Sequence, residues 1–365
     1  MNKVAEDTTS KAMDRLTRSL NALRQKSAAA SIPSTSMLPQ YLLFATLAIA
    51  LPIVILFSVE LWMVSTYTGT FGIGRFHEQY FNGIYRYRIL GRDQYLFFYR
   101  FLQAHFKDRP YPSPRDPTTS LLSYGAFAIS NGLYFALSNL ILLSLMWVKR
   151  RGFLDRDLVL YLYYTLLLAL SMAVVTPHDQ LAYLLLLIGI LGARQRSIAA
   201  GSALIVISAI AGTLNRETEF LLASFLATMA IVSPALLAKR YWIYLAIDIV
   251  LSLAVYVGLR LLVPGKVKVI EYVTLGGIWA PESLVVLIVL FAGAVVFAMK
   301  LHRNVRPAVI LFVMSSPYLF TIFMGSSFRE LRISIPILLC LVCVYLFLSR
   351  AAEVSVDEGA TVAVG

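Results

Sequence analysis

Residues 180–213 read QLAYLLLLIGILGARQRSIAAGSALIVISAIAGT, two apolar runs joined by the basic turn Arg194-Gln195-Arg196. Runs of this kind recur on both sides. Segments near 41–59, 122–147, 158–175, 180–193, 197–213, 219–237, 242–263, 284–299, 307–324 and 333–349 approach the roughly 17–25 apolar residues that a spanning helix needs. The chain is 59% hydrophobic and 14% charged, whereas a soluble domain carries about 25% charged residues. The sequence therefore predicts an all-α integral membrane protein with about ten transmembrane helices. No polar stretch within 41–349 is long enough to build a separate core, so this range is read as one membrane domain.

The flanks differ from that domain. Residues 1–40 are polar and expected to be cytosolic, with Ala12, Leu16, Leu20 and Leu23 set against Lys11, Arg15, Arg18 and Arg24 in a partly amphipathic pattern. Ser31-Ile32-Pro33-Ser34 breaks the pattern. The apolar run that follows is too long for a cleaved signal and is expected to be the first span. A tail, 350–365, carries Glu353, Asp357 and Glu358.

Charge then assigns sides. The formal net charge is +12, but Lys and Arg lie between spans rather than along one stripe, which suits topology and lipid phosphate and argues against nucleic acid. With the N-terminus inside, Lys149-Arg150-Arg151, Arg194-Gln195-Arg196, Lys239-Arg240 and Lys300 to Arg306 all fall in cytosolic loops. Together with Arg350 these hold roughly twelve basic residues, against about five in the short loops opposite. Both termini are thus expected in the cytoplasm of a cell whose inner, plasma membrane holds the chain. Cys340 and Cys343, the chain's two cysteines, sit one turn apart in the last apolar run and read as small buried hydrophobes.

The long outer segment, residues 60–121 between spans one and two, has a different texture. Arg75, Arg86, Arg88, Arg92, Arg100 and Arg109 alternate with Phe and Tyr, and Phe97, Phe98, Phe101 and Phe106 recur at helical spacing. Helices lying in the headgroup plane are expected here, followed by an extended connector at Pro110 to Pro114.

Polar clusters that do not serve topology share this outer face. Thr176-Pro177-His178-Asp179 follows span three, Asn215-Arg216-Glu217-Thr218-Glu219 follows span five, and Arg329-Glu330-Leu331-Arg332 precedes span ten. Helix capping would explain the first two, with Thr176 or Asn215 as N-cap, and a surface ion-pair cluster the third. Spans four and five, at about 14 and 17 residues, reach only roughly 21 and 25 Å across a core near 30 Å, which would leave Asp179 and Glu217 recessed. Charged groups at such depth face water or each other. Asp248 and Arg260 in span seven are further inward-facing candidates, for which structural pairing is the plain alternative.

Acids and arginines at a recessed outer site suit transfer from a lipid phosphate, because a carboxylate can deprotonate a hydroxyl while guanidinium holds the phosphate. Asp179, Glu217 and Glu330 are the candidate bases. Arg216, Arg329, Arg332, Arg86, Arg88 and Arg92 are the candidate phosphate ligands, with Glu60, Asp93, His178 and Asn215 as secondary candidates. No cofactor is required; a divalent metal would be compatible, but no metal motif calls for one.

This layout resembles the GT-C class of polyprenyl-phosphate-dependent glycosyltransferases, and Tyr85-Arg86-Tyr87-Arg88-Ile89-Leu90, Leu214-Asn215-Arg216-Glu217-Thr218 and Arg329-Glu330-Leu331-Arg332 look like strings of bacterial polysaccharide-assembly membrane proteins. The resemblance implies an envelope glycosyltransferase or polysaccharide polymerase whose partners are a lipid-linked sugar, a glycan or lipid acceptor and membrane lipids. That class places an acid or acid pair just past span one; here Glu60, Glu78 and Asp93 stand singly, which shifts the base role toward Asp179 or Glu217. A transporter or lipid flippase, a membrane acyltransferase using His178, His77 or His105, and a non-catalytic scaffold are the alternatives.

Overall fold

A computed structural model describes residues 38–55, 73–83, 85–110, 120–146, 155–171, 176, 178–216, 220–263, 304–325 and 334–348. About 89% of them are helical and none forms a strand, so the architecture is all-α. The chain divides into two compact units, Met1–Ala45 and Thr46–Gly365. In the first, the described helix is α1, Leu38–Ala45. The amphipathic N-terminal pattern, the expected span at 284–299 and the acidic tail lie outside the described residues, as do Glu60, Glu217, Arg329, Glu330 and Arg332.

The second unit opens with a wide π turn, Thr46–Ala50. Its outer segment holds α2, Ile73–His77, a second π turn, Glu78–Asn82, and α3, Ile89–His105. The bundle comprises α4, Leu121–Met146; α5, Asp155–Ser171; α6, Asp179–Arg194; α7, Ile198–Asn215; α8, Phe220–Val232; and α9, Ala235–Leu262. It continues with α10, Arg306–Met314, α11, Ser316–Gly325, and α12, Ser334–Leu348. Among the described residues α4, α7 and α9 contain stretches long and apolar enough to cross a membrane, and four shorter apolar helices accompany them. Apolar side chains on α9 such as Val250 (65% exposed) and Leu261 (74%) face outward, a surface that suits lipid rather than water. Conversely, α12 is buried nearly all round, as expected of a helix without a polar face at the middle of a bundle. Tyr164 of α5 donates to the Leu338 carbonyl at 2.9 Å, and Cys340 meets the Leu221 carbonyl of α8 at 3.8 Å. Both cysteines are buried and neither is bridged.

The hairpin α6–α7 is the backbone of the bundle. Ser197 caps α7 through its hydroxyl, which accepts from Ala200 N. Two glycines let the arms touch: a Cβ on Gly192 would lie 2.9 Å from the Gly201 carbonyl, and one on Gly201 would lie 2.8 Å from the Gly192 carbonyl. Close backbone approach at small residues is how helices associate where lipid gives no hydrophobic drive. Ser208 adds a bond across the hairpin to the Leu185 carbonyl at 2.7 Å.

The basic turn does more than signal topology. Arg194 donates to the Ser144 and Leu145 carbonyls at 3.0 and 2.7 Å, satisfying orphan acceptors at the end of α4. Arg240 does the same for Ala193 at 2.5 Å. The arms contain 16 and 18 residues, slightly longer than the sequence suggested, and α7 is long and apolar enough to cross a membrane while α6 is shorter.

The outer segment packs as well as lies. Phe76, Tyr80 and Tyr95 are fully buried against Leu122, Ala126 and Phe127 of α4, while Phe97, Phe101 and Phe106 are exposed. Pro110 pairs with Ser120, closing the loop to α4, and most of the expected extended connector lies outside the described residues.

Gly192→Val should separate the hairpin arms and destabilise the protein by about 1–3 kcal/mol, as overpacking does. Thermal unfolding in detergent measures it; an unchanged melting curve would refute the close approach.

Candidate functional site

His178 and Asp179 stand where the chain enters α6, at the mouth of the hairpin, and are 0% and 3% exposed. Burial obliges every polar atom to find a partner, and the partners come from three segments. The His178 ring meets the Tyr80 hydroxyl through Nδ1 at 2.6 Å and Arg88 Nη1 through Nε2 at 2.5 Å, both from the outer segment. Its carbonyl accepts from Asn215 Nδ2 at 2.8 Å, at the end of α7. Asp179 Oδ1 pairs with Arg216, and Oδ2 accepts from the Thr176 hydroxyl at 2.5 Å.

These bonds correct the capping readings. Asn215 is the last residue of α7 rather than a cap of the next helix, and its side chain crosses to α6. His178 occupies the N-cap position of α6 without a side-chain cap bond, and Thr176 reaches the Asp179 side chain.

Protonation follows from the network. Arginine only donates, so Nε2 must accept and the single ring proton of a neutral His178 sits on Nδ1, donating to Tyr80. Protonating Nε2 would set two donors head to head at 2.5 Å. The acceptor nitrogen of His178 is therefore occupied by Arg88, and both Asp179 oxygens are occupied by donors. The His178 ring, as placed, has no open lone pair for a hydroxyl proton, whereas each Asp179 oxygen can accept more than one donor. Both groups hold guanidinium groups: Asp179 pairs with Arg216, and the His178 ring accepts from Arg88. Nine-tenths burial of Arg216 places its charge where fields are strong.

Aromatic rings line the cluster. Arg88 lies over the Tyr85 ring at 4.6 Å, and Tyr85 lies 5.4 Å from the His178 ring. Tyr318 of α11 is within electrostatic reach of Asp179, Arg216 and Arg88. The sequence does not single out Tyr80 or Tyr318, and it marks Tyr85 only within the string Tyr85 to Leu90, not as a site residue. Nothing local distinguishes them from belt aromatics; their sole signal is that a buried His178 needs partners. Gly91 is the other omission, since a Cβ there would meet His178 Cβ at 2.8 Å and Asn215 Oδ1 at 2.9 Å.

The remaining candidates divide. Arg86 faces the other way, onto Tyr87, whose ring also carries Arg260 of α9 at 3.8 Å. The Arg86 guanidinium bonded to the Tyr87 hydroxyl pulls that phenol below its ordinary range, and Arg260 adds to the effect. Arg92 pairs with Asp93 at 2.7 Å on the surface and lies over Phe81, so these two do not join His178. Among the described residues no cluster of three His, Cys, Asp or Glu side chains could hold a metal.

Comparison with protein families, curated proteins and solved structures finds no match to this chain.

Asp179→Ala or Arg216→Ala alone should destabilise by about 3–5 kcal/mol, because each strands a buried charge, and the double substitution should cost less than their sum. A double-mutant cycle on thermal unfolding reads the coupling, and strict additivity would deny the pair. Gly91→Ala should loosen α3 from the hairpin, seen as faster amide exchange in residues 85–105 without change in α12; equal exchange rates would contradict the close contact.

Proposed function

We propose that the chain is an envelope glycosyltransferase or polysaccharide polymerase, multi-pass in a bacterial inner membrane, using a polyprenyl-phosphate-linked sugar at the outer face. One observation carries the reading: Arg88 from the outer segment and Arg216 from the end of α7 converge on one buried dipeptide, His178-Asp179. Guanidinium is the side chain best shaped for phosphate. Two arginines fixed by buried partners would meet a phosphate without reorganising, which is what stabilises charge on a leaving group.

Within this reading Asp179 positions Arg216, and the sequence candidates Glu217 and Glu330 take the base role for the acceptor hydroxyl, with Arg329 and Arg332 as further phosphate ligands. The ten spans, cytoplasmic termini and headgroup-level outer segment belong to the same proposal, supported by the basic cytosolic turns and by exposed Phe97 and Phe101 on α3. The occupied acceptor nitrogen of His178 weighs against an acyltransferase that needs that ring as base. A transporter or flippase draws on the break at Ser315 between α10 and α11, since interrupted helices line transport sites.

Purified protein in liposomes with polyprenyl-diphosphate-linked sugars should transfer sugar to a glycan or lipid acceptor, and Arg88→Ala should lower the rate about 10²–10³-fold, the loss typical of one charge-stabilising donor. No transfer from any such donor, together with intact envelope glycans in a deletion strain, would end this reading. So would unchanged activity in Arg88→Ala, Arg216→Ala and Glu217→Ala.

A further inference from the structure

Helix α9 carries a polar residue at every fourth position along almost its whole length: Arg240, Tyr244, Asp248, Ser252, Tyr256 and Arg260. Side chains four apart are neighbours on a helix, about 5–6 Å between Cβ atoms. The ladder ends in cations stacked on tyrosines, Arg240 over Tyr244 at 5.3 Å and Arg260 over Tyr256 at 5.0 Å. Its middle is different. Asp248 and Ser252 are each 1% exposed, and Asp248 Oδ1, Ser252 Oγ and the Tyr244 hydroxyl have no hydrogen-bond partner among the described residues.

Asp248 stands at the midpoint of the 28-residue helix, roughly 20 Å from either end at 1.5 Å per residue. The helices packed most closely on α9 are α7 and α8, and neither contains an Asp, Glu, His, Lys or Arg. On α9 itself the other charged groups are Lys239 and Arg240, two turns inward, and Arg260, three turns outward. Arg240 is bonded to the Ala193 carbonyl and Arg260 lies over Tyr87. No described cation reaches the carboxylate. Hydroxyls nearby on α7 and α8 point elsewhere, Ser208 to Leu185, Thr228 to Ser224 and Ser224 to Met314.

An unpaired carboxylate in such surroundings costs several kcal/mol, and intramembrane acids that persist generally serve an ion or proton. Hard metal ions need six or more oxygens, far more than Asp248 and Ser252 supply, so the ligand that fits is a proton. We propose that Asp248 is a mid-membrane proton-binding site, neutral at rest, which exchanges its proton with the outer face along the Ser252–Tyr256 side of the ladder. Deprotonation breaks the carboxyl O–H bond and passes the proton to water; reprotonation reverses it. Orphan polar atoms on either side give bridging waters their partners. This site is independent of the Arg88–His178 cluster and of any transferase activity.

Infrared pH titration of the full-length protein in liposomes tests it. The wild type should show a carboxylic-acid carbonyl band at neutral pH that converts to carboxylate at alkaline pH, and Asp248→Asn should lack it. Asp248→Glu should keep a titrating band at a displaced frequency, which decides the matter should Asp248→Asn fail to assemble. Ser252→Leu should slow the conversion several-fold after an external pH jump. Superimposable spectra of wild type and Asp248→Asn, no displaced band in Asp248→Glu, or a band that never responds to pH would overturn the proposal.

Discussion

Everything at the outer end of this protein hangs on the dipeptide His178-Asp179. A buried imidazole, a buried carboxylate and one backbone carbonyl must all be satisfied away from the surface, and the chain meets that demand from three directions. Tyr80 and Arg88 arrive from the outer segment, Asn215 and Arg216 from the far end of the hairpin, and Thr176 from the residues just before α6. The cost of leaving any of these atoms unpaired, about 1–3 kcal/mol and more for the charges, is what ties a surface-lying segment to a membrane hairpin. Specific polar contacts, rather than apolar packing alone, therefore bring two guanidinium groups onto the adjacent residues His178 and Asp179.

The same principle orders the bundle. Where hydrocarbon surrounds the helices, apolar contact gains little over lipid, and association depends on close backbone contact and internal hydrogen bonds. The glycine pair at the inner end of the hairpin, Ser208 bonded to Leu185, and Thr165 bonded to Asn139 between α5 and α4 are local instances. Arg194 and Arg240 extend it to the basic turn of the hairpin, where they bond the carbonyls of Ser144, Leu145 and Ala193.

Much of the helical layout was legible because apolar run length is a strong signal. The arms expected at 180–193 and 197–213 appear as 179–194 and 198–215. The run at 307–324, in contrast, divides at Ser315, two residues before Pro317, whose nitrogen has no hydrogen to donate to the preceding turn. Ser224 of α8 donates to the Met314 carbonyl at that break at 3.0 Å. The site was legible in part for a related reason: charged residues at the outer ends of apolar runs stand out, but their partners do not. Asn215 looks like a helix cap in sequence, and becomes a cross-hairpin donor only when α6 lies beside it. Tyr80 and Tyr85 are two of 20 tyrosines. Arg86 stays within its own turn, on Tyr87, whereas Arg88, two residues on, reaches His178 at the entrance of α6.

The hairpin is fastened at both extremities, by Asn215 and Arg216 above and by the facing glycines below. Such a pair of helices behaves as a stiff rod rather than as two hinged legs. Its lower end is latched to α4 through Arg194 and to α9 through Arg240. Anything that strains Asp179 at the mouth therefore bears, through one rigid pair of helices, on the contacts that α4 and α9 make at the far end.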